Sequence, residues 1–87
     1  MNVLEKDRQL AEKIMGFAAL CLRQARLEWL HGQLDEAERW AKEFLRCKRD
    51  LDELVRKKEE HDKLVQLVEV MKERGIDIAI VMRKGNE

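Results

Sequence analysis

The 87 residues allow one small domain, and the 18 Lys+Arg that balance 18 Asp+Glu argue against a strong polyanion binder and equally against an acidic mimic of DNA. No apolar run approaches the roughly 20 residues needed to span a bilayer, so a membrane is not expected as a partner. Glu5 and Asp7 beside Lys6 and Arg8 do not read as a signal peptide, and two cysteines without a secretion signal fit a reducing, cytoplasmic location.

In chain order, the pattern predicts a first helix over about residues 3–31. Asn2 is placed to cap it, and Glu5 sits where a capping box puts its acid. The helix contains an apolar run, 14–22, interrupted only by Gly16. The segment Leu30-His31-Gly32-Gln33-Leu34-Asp35-Glu36 is the one strong stop and restart before Gly75. Gly32 supplies the left-handed position that ends a helix. Asp35 with Glu38 forms a second capping box, so helix 2 is expected over about 35–74. So short a loop forces the two helices to lie antiparallel.

With His31 opposite Asp35, facing residues have numbers that sum to about 66, which brings Cys21 near Cys47. Helix 1 then runs out opposite about Lys63, and helix 2 overhangs it by about eleven residues, or roughly 16 Å. The apolar stripe of helix 2 lapses through the charged octet 56–63 and returns as Leu64, Val65, Leu67, Val68, Val70 and Met71. A monomer would not leave that patch in water. After Gly75 the period changes to two: Ile76, Ile78, Ile80 and Met82 alternate with Asp77, Ala79, Val81 and Arg83, as in a β-strand. A lone strand must pair with a copy of itself or with the edge of another protein's sheet.

The expected fold is therefore all-α: a long antiparallel helical hairpin (residues 1–74) with a short C-terminal strand and tail (75–87). A small core of this kind supplies no more than roughly 3–5 kcal/mol on its own, so a homodimer is expected. Interface residues should be Leu64, Leu67, Val68, Met71, Ile76, Ile78 and Ile80. Trp29 and Trp40 flank the turn and are expected to pack together at the end of the core; the competing reading makes them an exposed hot spot.

Chemistry is sparse. The chain has no Ser, Thr or Tyr, hence no hydroxyl nucleophile of the usual kind. Cys21, Cys47, His31 and His61 lack metal-ligand spacing, so the thiols are expected to be buried and reduced, with no metal or cofactor. The basic clusters Arg46, Lys48, Arg49 and Arg56, Lys57, Lys58 are interleaved with acids at helical spacing and have no aromatic among them, which disfavours nucleic acid as a partner.

Three resemblances are local. Residues 18–45, with His31-Gly32-Gln33-Leu34-Asp35-Glu36-Ala37 and Ala25, resemble one tetratricopeptide hairpin, which implies a helical hairpin. Ala41, Phe44 and Glu28 depart from that repeat's pattern. Asp50-Leu51-Asp52-Glu53-Leu54-Val55 is similar to part of the motif of small sporulation-regulating aspartyl-phosphate phosphatases, also helical hairpins; the resemblance makes Asp52 the key acid of a regulator acting on response regulators. Leu10-Ala11-Glu12-Lys13-Ile14-Met15-Gly16-Phe17 resembles the opening of a small phage-encoded sandwich-domain family, which implies a mobile-element origin. The expected function is that of a non-enzymatic adaptor, regulator or inhibitor that binds itself, another protein, or both; the alternatives are that phosphatase and a helical nucleic-acid-binding protein.

Overall fold

The computed structural model describes residues 1–75. The expected strand, with Ile76, Ile78 and Ile80, lies outside the described residues. Within them a single 3-10 turn, Glu5–Asp7, leads into α1, Arg8–Leu30, and then α2, Leu34–Glu73. The two helices pack against each other as an antiparallel hairpin, and there is no strand among the described residues.

The reversal between the helices is built on Gly32. The Gln33 N–H donates to the Glu28 carbonyl at 2.8 Å and the Gly32 N–H to the Trp29 carbonyl at 3.1 Å. This crossed pair satisfies the last carbonyls of α1. It needs a left-handed conformation at the first of the two donors, and Gly32 has φ +76°. Gly75, at φ +72°, ends α2, with its N–H on the Lys72 carbonyl at 3.1 Å.

Both expected capping boxes are corrected. Helix 2 starts at Leu34, one residue before Asp35, and Gln33 precedes it without a side-chain cap bond. Glu38 pairs forward with Lys42 at 2.9 Å instead of reaching back. Asp35 and Glu36 still act on the first turn, as charges facing the positive end of the helix dipole. At the other end Asn2 caps nothing. Leu4 is extended, and α1 begins only at Arg8, after Asp7. Burial explains the difference: the chain before the 3-10 turn doubles back, and Val3 joins a core cluster with Ala11 and Leu54, flanked by Ile14, Leu51 and Val55.

The register agrees with the sequence reading. Asp7 Oδ2 lies 3.4 Å from Lys57 Nζ, and Cys21 meets Cys47, so facing pairs sum to 64 and 68. Asp7 is buried and its Oδ2 accepts no hydrogen bond, so the Lys57 charge is its compensation. Because α1 gives way to the turn at Glu5, the overhang of α2 starts near Glu60. It is about 14 residues, or roughly 21 Å, longer than the expected eleven.

The seam between the helices is made of small residues: Ala11, Ala18 and Cys21 on α1, and Ala37 and Cys47 on α2. Among the described residues, Leu54 and Val3 are the only larger apolar side chains that are buried. The molecule measures 65 × 24 × 15 Å, so it is a single layer of two helices. Its accessible surface is 7246 Å², against roughly 5,400 Å² for a compact monomer of 10.4 kDa.

Gly32→Ala should destabilise the hairpin by about 1 kcal/mol, for backbone reasons alone, because a Cβ there would meet nothing within 4 Å. Thermal unfolding should show a midpoint lowered by about 4–8 °C. Gly32→Asn should lose less, since asparagine tolerates the left-handed region. An unchanged midpoint for the alanine variant would contradict the turn geometry.

Candidate interaction surfaces

With the seam filled by small residues, the large apolar side chains of α1 fall on its two flanks. One flank carries Leu10, Phe17, Leu20 and Leu27, each 40–50% exposed. The other carries Met15, Leu22 and Trp29, at 49%, 50% and 63%. Leu30 at the turn is 66% exposed. Through 14–22 the helix is therefore apolar all round, a pattern that belongs to a buried helix. Only one of its sides meets α2. A soluble monomer does not normally show so much contiguous apolar surface.

Three depressions lie end to end along the second flank. The first is bordered by Met1, Val3, Arg8, Glu12 and Met15. The middle one, bordered by Met15, Ala19, Leu22, Phe44, Lys48 and Leu51, is almost wholly apolar. The last, at the turn, has Arg26, Trp29, Leu34, Asp35 and Glu38 on its rim. This surface was missed in the sequence reading. Its signal was the absence of charge through 14–22, together with small residues recurring at 11, 18, 21 and 25.

The expected patch on α2 is present on the overhanging arm. Leu64, Val65, Leu67 and Val70 are 42–49% exposed, while Val68 and Met71 are half-buried. No α1 residue lies beside them, since α1 gives way opposite Lys57 to Glu60. The tryptophans, in contrast, do not pack together at the end of the core. Trp29 is exposed and borders the depression at the turn, whereas half-buried Trp40 lies with Phe17, Arg39 and Glu43 on the other flank. The small seam residues bring the helices together, and the two indoles are pushed to opposite sides.

The charges of α2 are mostly paired along the helix. Arg46 meets Glu43 at 3.3 Å, Lys48 meets Asp52 at 2.6 Å, Lys58 meets Asp62 at 2.6 Å, and Arg56 meets Glu53. The bonded Arg56 guanidinium holds the Glu53 carboxyl below its ordinary value. The acid of the phosphatase resemblance, Asp52, is exposed and occupied by Lys48.

Cys21 and Cys47 are both buried and free. Burial pushes the Cys21 thiol above its ordinary 9.0, and the nearby Cys47 and Glu43 add to the rise. No group of three or more His, Cys, Asp or Glu side chains among the described residues is arranged to hold a metal ion. No helix there is long and apolar enough to cross a membrane. In comparisons with family models, with curated proteins and with solved structures, nothing matches the chain.

The raised thiol has a consequence for stability. A group whose pKa is higher folded than unfolded binds its proton more tightly in the folded state. Stability is thus whole below pH 9.0 and should fall as pH rises above it, because the unfolded thiol ionises first. Urea unfolding at pH 8 and pH 10 should show the loss, and Cys21→Ala should lessen it. Equal loss in the variant would place the titration elsewhere.

Proposed function

We propose that the protein is a non-enzymatic protein–protein interaction module, an adaptor, regulator or inhibitor, that self-associates and offers the α2 arm to another protein. The observation that carries this reading is the distribution of side-chain size. Small residues fill the seam of the hairpin, and the large apolar residues of α1 and of the arm face outward. Burying each of those side chains is worth about 1.5–3 kcal/mol, against the few kcal/mol a two-helix core supplies. Association thus supplies the core that the hairpin lacks.

The arm supports the second half of the proposal. It is an amphipathic helix with Leu64, Leu67, Val68 and Met71 at i, i+3, i+4 and i+7, the spacing with which a helix fits a partner's groove. The alternating run Ile76, Ile78 and Ile80 follows it directly in sequence and suits addition to the edge of a partner's sheet.

Absolute mass by light scattering, over a concentration series from low micromolar upward, should give twice the chain mass. The double variant Leu64→Glu/Leu67→Glu should keep the helical circular-dichroism signal, since both positions are exposed. It should lose any partner that engages the arm. A mass of one chain throughout, with no binding of an apolar dye, would sink the reading.

A further inference from the structure

We propose that the self-association surface is the flank of α1 centred on Ala19, and that a second copy docks there with its α1 antiparallel, about a two-fold axis through Ala19. This rests on the reading of the chain as a self-associating module and specifies the geometry.

The argument starts from spacing. Glu12, Met15, Ala19, Leu22, Arg26 and Trp29 recur at alternating intervals of three and four on α1, the spacing with which helices pair in a coiled coil, with charges at Glu12 and Arg26 and apolar residues between them. The three depressions of this flank lie along it, with Ala19 on the rim of the middle one, Glu12 on the rim of one outer depression and Arg26 on the rim of the other. The stripe is close to self-complementary. Reversed about Ala19, it sets Glu12 against Arg26 of the second copy and brings Met15 within one residue of Leu22, each contact occurring twice. A two-fold interface requires that reciprocity. Ala19, at the axis, is small enough for two helices to approach closely.

Charge selects the antiparallel arrangement. In a parallel pair Glu12 would meet Glu12 and Arg26 would meet Arg26. The antiparallel pair makes two opposite-charge contacts at the ends of an apolar centre. Both groups are available for them. Among the described residues neither Glu12 nor Arg26 forms an ion pair, whereas Arg39, Lys42, Arg46, Lys48, Arg56 and Lys58 of α2 are each paired within their own helix. The apolar content between the charges is Met15 and Leu22, joined from α2 by Phe44 and Leu51. A second copy would convert one layer of two helices into a four-helix bundle in which these side chains are interior.

The test uses the full chain. Glu12→Arg and Arg26→Glu each put like charges face to face at two symmetric positions, and each should raise the dimer dissociation constant by about tenfold in low salt. The double swap, Glu12→Arg with Arg26→Glu, should return it to near the original value. Circular dichroism should show unchanged helicity, since both sites are exposed. In a second measurement, Ala19→Cys should give a covalent dimer under mild oxidation, and Arg39→Cys on α2 should not. Weakened single variants that the double swap does not rescue would overturn the antiparallel pairing. Unaltered dimerisation in both singles, with no crosslink at Ala19, would overturn the surface while leaving self-association intact. A wild-type chain that is monomeric at every concentration would overturn it as well, and loss of partner binding in the arm variant would still separate the wider reading from this one.

Discussion

Everything about this molecule follows from how closely α1 and α2 approach. A seam of Ala11, Ala18, Cys21, Ala37 and Cys47 lets the two backbones come near, and so leaves little room between them for larger side chains apart from the cluster around Leu54. Tight contact of small residues gives good dispersion but little apolar area removed from water. The leucines, methionine and aromatic residues that would fill an ordinary core are displaced to the flanks, and the two tryptophans are separated. The same seam brings two thiols together out of water and raises the pKa of one of them. Only where the doubled-back N-terminus adds Val3 does a further segment cover the pair, and Leu54 is buried there.

The two helices divide the electrostatic work. α2 carries a ladder of pairs at i, i+3 and i, i+4 that runs from Glu36 to Asp62. Each such exposed pair is worth only a few tenths of a kcal/mol, and the ladder reaches only the base of the arm, so the arm itself rests on helix propensity and on whatever covers its apolar face. α1 has no comparable ladder and must be held by what it touches. Among the described residues, the one ion pair from α2 to the segment it packs against is Lys57 with Asp7, in the turn just before α1 begins and where support for α2 stops.

Much of the hairpin was legible in the sequence because the deciding signals are local. Gly32 between two helical patterns specifies a turn, the shortness of that turn specifies an antiparallel pair, and counting outward from it specifies which residues face each other. The lapse of apolar residues through 56–63 likewise marked where support for helix 2 ends. The flanks of α1 were harder to read. Apolar residues spread right round a helix produce no single stripe, so periodicity reports a helix without saying which side is inside. Recognising the seam needed the sizes of the residues as well as their polarity. The N-terminus was misread because Asn2 and Glu5 make an acceptable capping pattern, and only the tertiary contact of Val3 with Leu54 outweighs it. Trp29 and Trp40 were paired by register alone, which gives height along the hairpin and not the side of it.

The overshoot of α2 also fixes a length. Ala19 lies level with about Cys47 on α2, and Leu67 is 20 residues farther on, about 30 Å along the helix axis. In an antiparallel dimer centred on Ala19 the two arms leave from opposite ends, which sets their apolar patches about 60 Å apart and facing away from each other. Such an object would be a divalent ruler. It would tether two targets, or two sites on one large assembly spaced to match, with the avidity that two linked contacts bring. It would not close both arms on a single small protein. The number of residues between the turn and the arm's patch would then be a functional dimension, and a one-turn insertion within α2 would move each patch by about 5 Å while leaving its chemistry unchanged.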